Sequence, residues 1–217
     1  IQNYQILKQA LNLPVACEWL GEDAKDDFFP DPLLYGDIVA MKDEYLGQRA
    51  HRMLQVDSIA SLLEYAPKGN GMLREAIWLH PIHRILYLAA LHRLLPKLDK
   101  ELTPAVYSYR LDRIEDEDAY PFPNRTDRWK QFHNDFRSAA LEPSTGAVLL
   151  TDIAAFYDHI SVDSLMQQIE AMLGRSVDDT TRSVLQLLNT LLKLWSKTGF
   201  GIPQNYDPSS FLGSLYL

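Results

Sequence analysis

The sequence contains little sulfur chemistry, with Cys17 as the single cysteine among 217 residues. One thiol excludes an intramolecular disulfide framework and a multi-cysteine zinc site, and it favours a reducing, cytoplasmic environment. No apolar run has the length of a membrane span, and the first residues lack the pattern of a signal peptide. The histidines show no zinc-binding spacing, and there is neither a P-loop nor a dinucleotide-binding glycine motif. The sequence therefore argues against secreted disulfide-rich, membrane-spanning and P-loop proteins.

Positive charge is also scarce, since 21 Lys and Arg face 29 Asp and Glu, a formal net charge of −8. Such a balance argues against a generally basic nucleic-acid-binding surface, because phosphate contacts require local positive charge. The charge is unevenly spread, however. Residues 1–65 carry five basic against eleven acidic residues, whereas residues 66–110 carry seven against three. This asymmetry indicates one basic face on an acidic protein, with ordinary solvated helix surfaces as the alternative.

The apolar content of 47% is ample for a packed core. Hydrophobic periodicity and turn residues predict a mostly helical segment over residues 4–65, broken by a charged, proline-containing loop at 21–32. Strands and a helix are predicted next: a strand at 72–79, a helix at 84–95 that Pro96 closes, a strand at 105–111, and an acidic loop through Asn124.

In the second half of the sequence, Thr126 is predicted to cap a helix that buries Trp129, Phe132 and Phe136. A strand is predicted at 147–153. Two amphipathic helices should follow: one capped by Ser161 that buries Val162, Leu165, Ile169 and Met172, and one over 178–195 that buries Val184, Leu188, Leu191 and Trp195. Residues 199–203 form a predicted turn, and 209–217 are either helical or extended. The order of elements predicts an α+β fold, an antiparallel sheet with helices on one face.

Two segments carry the chemistry. The predicted strand at 147–153 delivers a single carboxylate, Asp152, and the aromatic residues Phe156 and Tyr157 follow at the fourth and fifth positions after it. Further along the chain comes Gly-Ile-Pro-Gln-Asn at 201–205, with Ser209 four residues later. In this order, the two segments resemble the A and B motifs of the reverse-transcriptase palm, D-x-x-x-[FY]-[FY]-D and G-[LIV]-P-Q-G-x-x-x-S.

One position departs from the family pattern. Asn205 stands where most reverse transcriptases have glycine. Asparagine tolerates a positive φ better than other non-glycine residues, so we expect the turn to survive the replacement. The side chain nevertheless reaches into the space that the family uses for close approach to template and sugar.

The resemblance implies a right-hand polymerase, with a helical N-terminal extension at residues 1–65, fingers at 66–145 and part of the palm at 146–217. It is closest to the bacterial abortive-infection and unknown-group reverse transcriptases that defend against phage. The implied activity is RNA-directed DNA synthesis from deoxynucleoside triphosphates, with untemplated or protein-primed synthesis as a variant. Because the paired aspartates of the family's C motif are absent, we expect the sequence to belong to a longer polypeptide and to be inactive alone.

The family's functional residues can be placed on this sequence. Asp152 is the implied catalytic residue and, with Ile153, the implied ligand of Mg²⁺, or Mn²⁺ in its place; an Asp that caps a turn is the alternative. Tyr157 corresponds to the residue that rejects a ribose 2′-hydroxyl. The full implied nucleotide-binding set is Lys68, Arg74, Phe156, Tyr157, Pro203 and Gln204.

The implied nucleic-acid contacts are Arg110 and Ser209, with RNA template and nascent DNA as partners beside the deoxynucleotides. Self-association stays open. For Arg110, a structural ion pair with the acidic loop that follows is an equal alternative, and for Lys68 the alternative is a solvated turn residue.

Two other functions remain open on sequence alone. One is an intron- or retron-type reverse transcriptase that copies a dedicated RNA. The other is a polymerase-derived nucleic-acid-binding or scaffold module without catalysis, which the acidic net charge, Asn205 and the absent C motif all favour.

Overall fold

The computed structural model describes residues 4–27, 31–46, 61–68, 71–111, 118–122, 125–174 and 176–217. These residues form a mostly helical α+β structure with one two-stranded antiparallel hairpin, which confirms the α+β class. The strands are β1 (Ser61–Pro67) and β2 (Leu73–Leu79). The helices are α1 (Tyr4–Ala10), α2 (Leu13–Asp23), α3 (Gly36–Ala40), α4 (Pro81–Leu98), α5 (Arg125–Leu141), α6 (Val162–Leu173), α7 (Asp179–Trp195) and α8 (Asp207–Tyr216).

Helix α4 lies at the centre of the hydrophobic core. Residues 84–91 are all buried, because α2, α6, α7 and α8 pack around the helix from several sides. The His80 side chain caps its first turn by accepting a hydrogen bond from the Ile82 N–H at 3.2 Å, and Pro81 occupies the first helical position. A helix with buried residues all round its axis belongs in the interior of a protein.

The prediction that Pro96 closes this helix is wrong, since α4 continues to Leu98. Proline removes one backbone N–H and crowds the carbonyl four residues earlier. At Pro96 this cost falls on the last turn, where the helix is about to change into a 3₁₀ turn at Asp99–Glu101. Packing of Leu94, Leu95 and Leu98 in the core outweighs the local cost.

The hairpin pairs Ala66 with Arg74 and Ser61 with Leu79. The predicted strand at 72–79 is therefore confirmed to within one residue. Tyr206 fastens the hairpin to the helical core, because its hydroxyl accepts a hydrogen bond from the Leu79 N–H and donates one to the Ile77 carbonyl, both at 3.0 Å.

The two helices predicted from periodicity, α6 and α7, are confirmed, as is the predicted cap at Ser161; the cap of α7, Asp178, was not predicted. Ser161 Oγ accepts from the Ser164 N–H at 3.3 Å, and Asp178 Oδ1 accepts from the Thr181 N–H at 2.7 Å. The predicted apolar faces are buried, with only Met172 partly exposed. The segment left open at 209–217 lies mostly within helix α8.

The predicted strand at 147–153 is not formed. Residues 145–153 have no regular secondary structure, and Leu149 and Leu150 are 87% and 75% exposed. A strand requires a neighbour for its backbone N–H and C=O groups, and no strand of the described residues lies beside this segment. The prediction was an antiparallel sheet with helices on one face. In the part of the chain that the structure describes, the sheet consists of the hairpin alone.

Two further predictions fail nearby. Residues 105–111 form turns instead of a strand, and α5 already begins at Arg125, so Thr126 lies inside the helix and does not cap it. The aromatic residues of α5 are not a buried stripe, since Trp129 is 62% exposed and Phe132 42% exposed. The period of the pattern was correct for a helix, but periodicity does not say whether another element covers the apolar face.

In the N-terminal segment, α1, α2 and α3 agree with the helical prediction, although α2 continues through Gly21 to Asp23 before the loop begins. The helical prediction is wrong for residues 61–65, which belong to β1 because they pair with β2, and residues 47–60 lie outside the described residues. No helix among the described residues is both long enough and apolar enough to cross a membrane.

Candidate functional site

The two motif segments lie against each other, backbone to backbone. The Ile202 N–H donates to the Tyr157 carbonyl at 3.1 Å, and the Gly201 N–H donates to the Ile160 carbonyl at 2.9 Å. Gly201 adopts a φ of +90°, and a Cβ added there would lie 3.6 Å from the Asp158 carbonyl oxygen. Glycine suits this position because it accepts the left-handed backbone without a side-chain penalty.

The rings of Phe156 and Tyr157 rest on helix α8. They pack edge to face with centroids 5.3 Å apart, and a Cβ at Gly213 would approach the Phe156 ring to 3.0 Å. The Tyr157 hydroxyl donates to Ser210 Oγ at 3.3 Å. Both half-buried rings are therefore held against α8, the helix that contains Ser209 of the second motif.

The hairpin forms the other wall of this region. A cavity of about 220 Å³ lies between the hairpin residues Leu63, Glu75 and Ile77 on one side and Asp158 and Gln204 on the other. Segments that are far apart in sequence, the hairpin and the two motifs, thus meet at one concave site.

Lys197 closes one side of the cavity. Its ammonium group forms an ion pair with Glu75, and this hydrogen bond raises the pKa of Lys197 above its ordinary value. Because both side chains are largely exposed, the pair is screened by water and adds little to stability.

The second motif has the backbone that its sequence predicts. Asn205 adopts a φ of +73°, which confirms that asparagine takes the left-handed conformation where the family has glycine. Pro203 is buried, and Gln204 is partly exposed at the cavity.

Lys68 and Arg74 belong to the hairpin but are not among the residues that line this cavity. Lys68 is exposed at the end of β1, where its backbone N–H donates to the Met72 carbonyl at 2.7 Å. Arg74 is partly exposed and lies opposite Ala66 in the hairpin register.

Asp152 and Ile153 are both exposed, and Asp152 Oδ1 accepts a hydrogen bond from the Ile153 N–H at 2.9 Å. Among the described residues there is no group of three or more His, Cys, Asp or Glu side chains able to hold a metal ion. One carboxylate falls short of the paired carboxylates that the resemblance requires. The described residues therefore supply one candidate Mg²⁺ ligand, Asp152, and do not form a complete metal site.

The two residues expected to contact nucleic acid are engaged inside the protein. The guanidinium of Arg110 donates to Asp99 Oδ1 and to the Thr103 carbonyl, both at 2.9 Å, so it forms an ion pair with Asp99. Residues 112–117 of the acidic loop, the partner predicted for Arg110, lie outside the described residues. Ser209 is fully buried, and its Oγ lies 3.0 Å from the hydroxyl oxygen of Tyr87. Burial raises the pKa of the Tyr87 phenol, which stays a neutral partner for this serine.

The ion-pair cluster that supports the site was not predicted from the sequence. Arg84 is 1% exposed and donates to both oxygens of Asp27, at 2.6 and 2.8 Å, and to Asp23. The other oxygen of Asp23 accepts the Asp207 N–H at 2.7 Å. Burial opposes the charge of Arg84, but the two carboxylates outweigh it and raise its pKa. A lone arginine among the apolar residues 85–91 was the available signal, although its partners are 57 and 61 residues away.

Compared with known proteins, the chain matches no protein-family model, and no curated protein matches it significantly.

Proposed function

We propose that this chain comprises the fingers and part of the palm of an RNA-directed DNA polymerase that acts in bacterial defence against phage. The observation that carries the proposal is the contact between the two motif segments, made through the 3.1 Å hydrogen bond from Ile202 to Tyr157. Two motifs that resemble those of one polymerase site would be expected to meet in space. An accidental match at two separate places in a sequence carries no such expectation.

The cavity supplies the second support, because Gln204 of the implied nucleotide-binding set lines it, together with residues of the hairpin that carries Lys68 and Arg74. In the proposal, Gln204 presents its amide to the incoming deoxynucleotide, and the ring of Tyr157 lies under the sugar with Phe156 and Pro203 packed behind it. Lys68 and Arg74 bind the triphosphate from the hairpin, and Arg is suited to this role because its planar fork pairs with phosphate oxygens.

Asp152 is the proposed catalytic carboxylate. We propose Mg²⁺ as the metal that Asp152 would hold, with Mn²⁺ as an alternative. The described residues do not supply the remaining ligands. The role of Asp152 is open to direct test, since its side chain is exposed and its removal should not disturb the core.

The test is incorporation of labelled deoxynucleotides by the full-length protein with Mg²⁺, with and without added RNA. Asp152→Ala should abolish incorporation, while the control Asp163→Ala, which removes an exposed carboxylate of α6, should leave it intact. Product that forms without RNA and stays attached to protein indicates untemplated, protein-primed synthesis. Product that requires RNA indicates a conventional, templated reverse transcriptase. Absence of product in every condition contradicts the polymerase proposal.

A second experiment addresses the sugar. Tyr157→Ala should raise the use of ribonucleotides relative to deoxynucleotides by about tenfold in kcat/KM, which corresponds to about 1.4 kcal/mol. Tyr157→Phe keeps the ring and loses only the hydrogen bond to Ser210, so its selectivity should match that of the unmodified protein. Equal selectivity in the alanine and phenylalanine variants would remove this role from Tyr157.

A non-catalytic nucleic-acid-binding or scaffold module is the second candidate function. It is favoured by the bond between the Asp152 carboxylate and the adjacent Ile153 N–H, which engages this carboxylate within its own segment. A protein that binds nucleic acid but incorporates no nucleotide with any metal or template would support this candidate.

A further inference from the structure

A second concave surface lies on a different part of the protein. A groove of about 530 Å³ runs between residues 105–109, helix α5 and the C-terminal end of α8. Four aromatic side chains line it, and we call this surface the aromatic groove. Its aromatic residues are Tyr107, Tyr109, Trp129 and Phe132.

Two rings of the aromatic groove, Trp129 and Phe132, are exposed to solvent, whereas Tyr107 and Tyr109 are partly buried. Trp129 is 62% exposed, whereas Trp19 and Trp195 are each 3% exposed in the core. Tyr107 and Phe132 pack edge to face with centroids 5.5 Å apart, so the groove has a preformed wall of rings. Exposed contiguous apolar surface of this kind usually marks an interaction site.

The charges of α5 are arranged around these rings. At about 100° per residue, the basic residues Arg128, Lys130 and Arg137 all lie within about 100° of Trp129 around the helix, on both sides of it. The acidic residues Asp127 and Asp135 lie farther round. Asp127 pairs with Lys130 at 3.1 Å, so these two charges offset each other, and Asp135 accepts a hydrogen bond from the Tyr107 hydroxyl of the groove at 2.9 Å. Aromatic rings flanked by cations are complementary to a strand of bases linked by phosphates.

We propose that the aromatic groove binds single-stranded nucleic acid, with bases stacked on Trp129 and Phe132 and phosphates beside Arg128 and Arg137. The basic residues beside the rings favour a strand that carries phosphates over an uncharged apolar partner. Stacking on aromatic side chains needs no particular base, so the binding is independent of sequence. The inference rests on the proposed function for the origin of the strand, a template or a product, but the binding itself requires no synthesis.

The experiment measures the affinity of the full-length protein for fluorescent single-stranded DNA and RNA oligonucleotides without nucleotides present. Trp129→Leu keeps an apolar side chain but removes the π face, so it should weaken binding by about tenfold. Trp129→Phe keeps a π face, so its affinity should stay within about threefold of the unmodified protein. Leu141→Ala is the control, because Leu141 is 73% exposed at the end of α5 and does not line the groove. Binding should also weaken as salt is added.

Two further measurements make the outcome unambiguous. Circular dichroism reports whether each variant is folded. The oligonucleotide should quench the tryptophan emission of the unmodified protein, and it should quench less in Trp129→Phe, which lacks the tryptophan of the groove. Unchanged affinity in folded Trp129→Leu would overturn the inference. If that variant instead halves the mass in sedimentation while its oligonucleotide affinity is unchanged, the groove is an interface between copies of the chain and the inference is likewise overturned.

The two proposals fail separately. If oligonucleotide binding depends on Trp129 but no nucleotide is incorporated, the polymerase proposal is contradicted and the proposal for the aromatic groove is supported. Incorporation by the unmodified protein with unchanged binding by Trp129→Leu would contradict the groove alone.

Discussion

The guanidinium carbon of Arg84 lies 4.7 Å from the centre of the Tyr206 ring, and the two side chains are only 1% and 5% exposed. This cation–π contact joins the central helix α4 to the residue that follows the second motif. A cation above a ring is more favourable when water is excluded, as it is here. The buried charge cluster around Arg84 therefore contacts the segment that carries the candidate site and stabilises it.

Arg84→Met should destabilise the protein by about 3–5 kcal/mol, because it leaves the buried carboxylates of Asp23 and Asp27 without their cation. The measurement is the free energy of unfolding in urea. Arg182→Met is the matched control, since Arg182 pairs with Asp179 on the surface at 2.6 Å and should cost less than about 1 kcal/mol. Equal losses in the two variants would show that the cluster does not stabilise the fold.

Tyr206→Phe should cost about 1–3 kcal/mol, because the Leu79 N–H and the Ile77 carbonyl then lose the hydroxyl that satisfies both. Urea unfolding again reports the change. In the control Tyr216→Phe, only the long 3.4 Å bond from the Ser161 N–H is lost, so the effect should be smaller. A smaller loss at position 206 than at 216 would contradict the proposed anchoring of the hairpin.

Local patterns predicted some elements and not others, and the difference has a physical basis. Helices α6 and α7 combine strong periodicity with side-chain caps at Ser161 and Asp178, so each is specified by residues close together in sequence. The segment at 147–153 has strand-forming residues, but a strand also depends on a partner that may lie anywhere in the chain, and local composition cannot supply it.

The site shows the same division. The left-handed turn at Asn205 was predictable, because it depends on one residue and its backbone. The Arg84 cluster and the burial of Ser209 were not, because they arise from contacts such as that between Tyr87 and Ser209, 122 residues apart. The resemblance predicts that the two motifs meet. The exposure of Trp129 depends on how the helices pack, which local sequence does not predict.

Gly213→Ala tests the support of the aromatic pair. Alanine normally stabilises a helix by up to about 1 kcal/mol relative to glycine. At Gly213 the added Cβ would lie 3.0 Å from the Phe156 ring, so the ring must shift and the gain should be lost. Gly36→Ala in α3 is the control, because its Cβ meets nothing within 4 Å. We expect Gly213→Ala to be about 1 kcal/mol less stable than the control by thermal unfolding; equal stability would contradict this packing.

Stability should also depend on acid through Asp178. Hydrogen bonds from the Thr181 N–H and hydroxyl lower the pKa of Asp178 from 3.8 to about 2. A carboxylate whose pKa is lower in the folded state stabilises the fold above its unfolded pKa, and this contribution is lost as pH falls through the folded value. The stability difference between the unmodified protein and Asp178→Asn should therefore change between about pH 4 and pH 2, as followed by thermal unfolding. Asparagine caps without titrating, so a constant difference would refute the assignment.

Cys17 should be nearly inert in the folded protein. Burial, the main cause, raises the pKa of its thiol to about 11, so thiolate is scarce at pH 8. Since the thiolate is the reactive form, a disulfide reagent should label native protein at least about a hundredfold more slowly than urea-unfolded protein. As Cys17 is the single cysteine, the labelling rate has one source. Rapid labelling of native protein would mean that the helix pair around Cys17 opens readily.

The hydrogen bond from Asp207 to Asp23 spans 184 residues of the chain. During synthesis, the ribosome adds on the order of 5–20 residues each second, so Asp23 emerges many seconds before its partner exists. Contacts of such long separation form late and slow the folding of a domain. In the interval, the buried carboxylate has only part of its final environment, and the N-terminal helices must wait for the second motif to complete it. We therefore expect the N-terminal helices to reach their full stability only after residue 207 has been synthesised.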